Sequence, residues 1–186
     1  MMMKKIPGYL LMILMVGYLF SCTSKADQAK IQSIDTLMLT LNDAEEMLLS
    51  VDANLVDEKL NELKEKEDFL KKNLRDSLDK PTALEIGEYF TYGKALRFYK
   101  ENYSEFMEAI NTSRKQLNDL KADVENGLLT DEKFNEYYNN EMRIALEITQ
   151  NVERAVNGVN VVLPKIDEKQ PVIEKIITHI EESKQE

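Results

Sequence analysis

Residues 89–124 read YFTYGKALRFYKENYSEFMEAINTSRKQLNDLKADV, and this stretch decides the fold. Tyr89, Tyr92, Leu96, Tyr99, Tyr103, Phe106, Ile110, Ser113, Leu117, Leu120 and Val124 follow one another at alternating steps of three and four. Such spacing puts all of them on one face of an α-helix, since 3.6 residues complete a turn. The alternation is close to the 3.5-residue period of a left-handed supercoil, so other helices must cover the stripe. Asn126-Gly127 supplies a stop, and Asp79-Lys80-Pro81 separates this helix from the one before it. Unbroken from Pro81 to Asn126, the helix would be on the order of 65 Å long; Asn102 or Ser104 is where a kink would fall. Gly87 and Gly93 are places where a neighbouring helix could approach closely.

The same alternation extends outward in both directions. On the N-terminal side Ile34, Leu37, Leu41, Ala44, Leu48, Val51 and Leu55 form one seam, and Val56, Leu60, Leu63, Leu70 and Leu74 form another. The seam shifts by one residue near Asp52-Ala53-Asn54, which predicts a turn with Asn54 as the next helix cap; a continuous helix with a skip is the alternative. On the C-terminal side Thr130 is the expected N-cap, with Asp131 and Glu132 in the first turn and Leu129 and Phe134 at staple spacing. Phe134, Tyr138, Glu141, Ala145, Ile148, Val152, Ala155, Val159 and Val162 continue the pattern. Pro164 and Pro171 are expected to interrupt it, leaving Val172, Ile173, Ile176, Ile177 and Ile180 for a short C-terminal helix. The fold expected is all-α: an elongated antiparallel bundle with coiled-coil-like seams, of about four long helices plus that short one.

Composition agrees and removes several kinds of function. In 186 residues there are 6 Gly and 4 Pro, with 43% hydrophobic and 31% charged residues, which describes a folded helical chain. A single Cys excludes an intrachain disulfide and a thiolate zinc site. The single His, His179, is preceded three residues earlier by Ile176, so the paired Glu-x-x-His of a di-metal bundle is absent. No Gly-rich phosphate loop, nucleophile elbow or Ser/His/Asp set occurs. The formal charge of −10 opposes nucleic-acid binding. Between Ile31 and Glu58 stand seven acids (Asp35, Asp43, Glu45, Glu46, Asp52, Asp57 and Glu58) and no Lys or Arg. Val56 occupies the fifth position of Asp52-Ala-Asn54-Leu-Val56, where a calcium loop needs a ligand, so a solvated acidic face is the expectation. No enzyme activity, metal or cofactor is expected.

Two features stand out as candidate contact sites. Seven aromatics lie between Tyr89 and Phe106, and five of them share the seam, which favours core packing. Read as a groove for a partner or ligand, the cluster would present Tyr92, Tyr99 and Tyr103; Phe98 lies off the stripe and is the best single contact residue if exposed. Glu141 is a carboxylate on an apolar seam, where burial would raise its pKa.

The first 22 residues are MMMKKIPGYLLMILMVGYLFSC: Lys4 and Lys5, an uncharged run from Leu10 to Phe20, then Leu19-Phe20-Ser21-Cys22. The apolar run is too short for a permanent membrane span and sits where a secretory signal does. Leu19-Phe20-Ser21-Cys22 resembles the lipobox of bacterial lipoproteins, although Phe20 is bulkier than that pattern prefers. The resemblance implies cleavage of residues 1–21, a diacylglycerol thioether on Cys22 and usually an acylated new amino terminus. Residues 22–30 then form a lipidated tether and 31–186 a single helical domain, with a mature charge of −12 after loss of Lys4 and Lys5. KALRFYKENY, SRKQLNDLKADVENGLLTDEKF and VVLPKI resemble uncharacterised helical lipoproteins of the Bacteroidota, a likeness that implies no activity. The function expected is a non-enzymatic binding or scaffolding role in the cell envelope, on the outer membrane facing the periplasm or at the cell surface. Its partners would be the membrane, through Cys22, and an envelope protein or glycan, with self-association a further possibility. The alternative is a small-molecule or metal-binding bundle with a carrier or catalytic role.

Overall fold

The computed structural model describes residues 25–74 and 79–183, with side chains from Asp27 onward. It contains four helices, α1 (Lys25–Leu49), α2 (Ala53–Asn73), α3 (Lys80–Glu125) and α4 (Asp131–Glu182), and no strand among the described residues. Cys22 and the rest of the lipobox lie outside them. α3 has 46 residues and runs unbroken past Asn102 and Ser104, about 69 Å at 1.5 Å per residue.

The stops work through identifiable hydrogen bonds. Asp79 caps α3 by accepting from the Thr82 amide at 2.7 Å, with Pro81 in the first turn, where an amide hydrogen is not needed. At the other end Gly127 takes a φ of 65°, open to glycine at no steric cost. The Leu128 amide then donates to the Asp123 carbonyl at 3.0 Å and the Gly127 amide to Val124 at 3.1 Å, the Schellman arrangement. Thr130 caps α4 by accepting from the Lys133 amide. α3 and α4 therefore form one long hairpin.

The other two helices follow a simpler path than a four-pass bundle. α1 and α2 each pack against α3 and α4 but not against one another. Lys30 pairs with Asp131 at the start of α4, Asp35 with Lys121, and Glu45 with Arg114, so α1 runs antiparallel to α3. Lys59 then meets Asp167 at 3.0 Å and Lys66 meets Glu174 at 3.7 Å, seven residues further along each helix, so α2 runs parallel to α4. The two short helices continue in one direction along the hairpin. The body is three helices thick, its third column being the broken rod α1–α2. The turn at 50–52 is present, but the chain does not reverse there.

Three details differ from the expectations. The cap of α2 is Asp52 rather than Asn54: its carboxylate accepts from the Asn54 and Leu55 amides at 2.9 and 3.3 Å. α1 begins at Lys25, so Lys25–Lys30 of the expected tether is helical, held where the Lys30 ammonium meets Asp131 and lies 5.4 Å from the Phe134 ring. No separate C-terminal helix exists, because α4 continues for 52 residues through both prolines. Val152, Val159, Ile166 and Ile173 recur every seven residues and are all buried, while Pro164 and Pro171 are exposed. Each proline leaves the carbonyl four residues earlier without its helical donor, and on the outer face water can supply one. The uninterrupted seam outweighs the break.

Elsewhere the seams pack as read. Every α3 stripe residue is buried except Tyr103, which is half-buried. A Cβ added at Gly93 would lie 3.3 Å from both Leu63 Cδ1 and the Arg97 guanidinium, so α2 does approach α3 there; Gly87 faces open space.

Candidate functional site

The aromatic cluster is mostly interior. Tyr99 is buried, and its hydroxyl donates to the Leu48 carbonyl at 3.0 Å. The last carbonyls of a helix have no intrahelical donor. In α1 the Ser50 amide serves Glu46 at 3.0 Å, the Ser50 hydroxyl serves Met47 at 2.7 Å, and Tyr99 reaches across from α3 to serve Leu48. Burial, reinforced slightly by Tyr103, pushes the Tyr99 phenol up to about 12. Tyr103 lies edge-on to Tyr99 at 5.8 Å between ring centres. Tyr89 is wholly buried between α2, α3 and α4; its hydroxyl has no partner, and burial holds its pKa at about 12.

Tyr92 closes a polar network at the bundle edge. Its hydroxyl donates to Glu88 at 2.8 Å, and the Lys165 ammonium stands 5.8 Å from its ring centre. Lys169 bridges Glu85 at 2.6 Å and Glu88 at 3.4 Å. The Tyr92 hydrogen bond, then Lys169, holds the Glu88 carboxyl below its ordinary value. Phe98 keeps 38% of its surface exposed, with its edge against Phe106. Of the four aromatic candidates, Phe98 alone is exposed.

Glu141 is 8% exposed in the core, and Ser113 is 1% exposed. Glu141 Oε2 and Ser113 Oγ have no hydrogen-bond partner, and Glu141 Oε1 receives only a long contact of 3.4 Å from Asn140. Burial raises the Glu141 pKa, which Asn140 partly offsets. The hairpin register brings the two polar residues to one level: the ion pair Glu85–Lys169 fixes it, and four heptads along α3 and back along α4 arrive at Ser113 and Glu141. Wholly buried Ala44 of α1 adjoins the same level, next to Glu45, which binds Arg114.

Ser113 also lines a shallow groove of about 380 Å³ between α3 and α4, with Glu105, Glu108, Ala109, Ile144 and Ile148. Helical spacing puts residues 105, 109, 112 and 116 on the flank of α3 opposite Arg114 and Lys121, which turn to α1. Glu105 and Glu108 make no ion pair among the described residues. His179 is exposed in the last turn of α4. No group of three or more His, Cys, Asp or Glu side chains among the described residues could hold a metal ion, and no described helix is long and apolar enough to cross a membrane.

Two participants escaped the sequence reading. Lys169 falls on the α4 seam, between Ile166 and Ile173, and continuing the three-four count past Pro164 would have found it. Ser113 falls on the α3 stripe, and its spacing carries no sign of what its hydroxyl meets. Comparison of the chain with family models, curated proteins and solved structures finds no match.

Proposed function

We propose that this chain is a lipid-anchored extracytoplasmic lipoprotein whose helical rod serves a non-enzymatic binding or scaffolding role in the cell envelope. The observation that carries the reading is the sequence Leu19-Phe20-Ser21-Cys22 behind a charged and then apolar leader, with Cys22 the only cysteine. The architecture supports it: α1 starts three residues after Cys22, beside the α3–α4 turn, and the rod extends from that end on the order of 70 Å. Two or three acyl chains would hold such a body to a membrane far longer than one. Its partner on this reading is an envelope protein or glycan, and its place the outer membrane, facing the periplasm.

Mass spectrometry of the membrane fraction tests it. The expected N-terminal species is acylated Cys22, and Cys22→Ala should remain unprocessed; an intact Met1 terminus in the wild type would sink the proposal. A carrier or catalytic role has one observation in its favour, the unpartnered Ser113 and Glu141 in the core. A carboxylate and a hydroxyl are fewer ligands than a metal takes, so this is the lesser reading.

A further inference from the structure

We infer that the α3–α4 groove at Ser113 is a docking site for a basic amphipathic helix of a partner protein. The inference deepens the binding role proposed above. Two packed antiparallel helices present two grooves, and α1 fills one of those on the α3–α4 hairpin. The other is floored by Ala109, Ile144 and Ile148, the kind of apolar strip an amphipathic helix covers.

Charge selects the occupant. Arg114 and Lys121 point to α1, where they pair with Glu45 and Asp35, and this leaves Glu105 and Glu108 unneutralised on the groove side of α3. A second copy of the mature chain would bring a net charge of −12 to that rim, whereas a helix carrying Lys or Arg beside its apolar stripe complements it.

An independent feature borders the same groove. Ser33, Thr36, Thr40, Thr91 and Thr149 all donate their hydroxyls to the carbonyl four residues earlier, the habitual resting place of a helical hydroxyl. Ser104, Thr112 and Thr178 lack that bond too but are exposed, whereas the Ser113 Oγ is buried beside the groove without a partner. A donor or acceptor from an incoming side chain would satisfy it.

The test uses the full chain in detergent and a labelled helical peptide of about 18 residues, Leu at the apolar spacing and Lys elsewhere, with a Leu/Glu peptide as control. Saturable one-to-one binding of the Leu/Lys peptide alone is expected by fluorescence anisotropy. Glu105→Lys with Glu108→Lys should weaken it at least about tenfold, while Asp43→Lys with Glu58→Lys, an equal change of net charge elsewhere, should leave it within about twofold. Ser113→Ala, which changes no charge, should weaken it at least about threefold. Equal weakening by both charge pairs, an unaffected Ser113→Ala, or no saturable binding overturns the inference. Sedimentation showing a dimer that Glu105→Lys with Glu108→Lys dissolves would assign the groove to a second copy and overturn it too. Lipidation at Cys22 is read separately by mass, so either proposal can fail alone.

Discussion

The hydroxyl of Tyr99 donates a hydrogen bond to the carbonyl of Leu48 at 3.0 Å, tying the middle of α3 to the point where the rod α1–α2 breaks. Without it, a buried helix end would keep an unsatisfied acceptor. Tyr99→Phe should therefore cost about 1 kcal/mol of unfolding free energy in urea titration. The same change at half-buried Tyr103, for which no hydrogen bond is seen, should cost less than about 0.5 kcal/mol. Equal losses would show that the contact does not hold the break.

Tyr89 and Tyr99 also predict alkaline behaviour. Both phenols rise from 10.0 to about 12 on burial, so the folded state retains protons that the unfolded state releases. Their contribution is fully present below pH 10 and is lost as pH rises through about 12. Tyrosinate absorbance should accordingly show the Tyr89 and Tyr99 phenols titrating late, together with loss of helicity.

Glu141 has a raised pKa because its carboxylate is desolvated. A raised carboxyl favours the fold below the unfolded value of 4.5, and the advantage is lost as pH climbs through the folded value. Glu141→Gln removes the charge and should stabilise the protein at pH 7, on the order of 1 kcal/mol, with the difference from wild type vanishing near pH 4. Denaturation at the two pH values checks it.

The glycines of α3 and of the turn that follows it separate space from conformation. Gly87→Ala adds a methyl into open space inside a helix and should stabilise by about 0.5–1 kcal/mol. Gly93→Ala meets buried Leu63 at 3.3 Å and should gain less. Gly127→Ala, at a φ of 65°, should destabilise by about 1 kcal/mol. Thermal melts of the three variants should fall in that order.

Pro171→Ala restores an amide donor to the Asp167 carbonyl within α4. It should raise stability, on the order of 1 kcal/mol, without shortening the helix. An unchanged melt would mean that α4 is not continuous there.

The sequence by itself determined which faces of the helices are buried and where most of the helices stop. The three-four spacing of Tyr89 to Val124 specifies a stripe, and Asn126-Gly127, Thr130 and Asp79 act through hydrogen bonds confined to a few neighbouring residues. The direction of α2 was not legible, because a three-residue break permits either reversal or continuation. Only the length of the α3–α4 hairpin, which offers α2 a seam beyond the end of α1, decides between them. The prolines misled for a related reason: their cost depends on whether the freed carbonyl meets water, which follows from the face they occupy in the packed rod. Glu141 was visible as a carboxylate on a seam, but its standing level with Ser113 depends on the hairpin register. Local periodicity tells a side chain that it will be buried; tertiary packing decides what it is buried against.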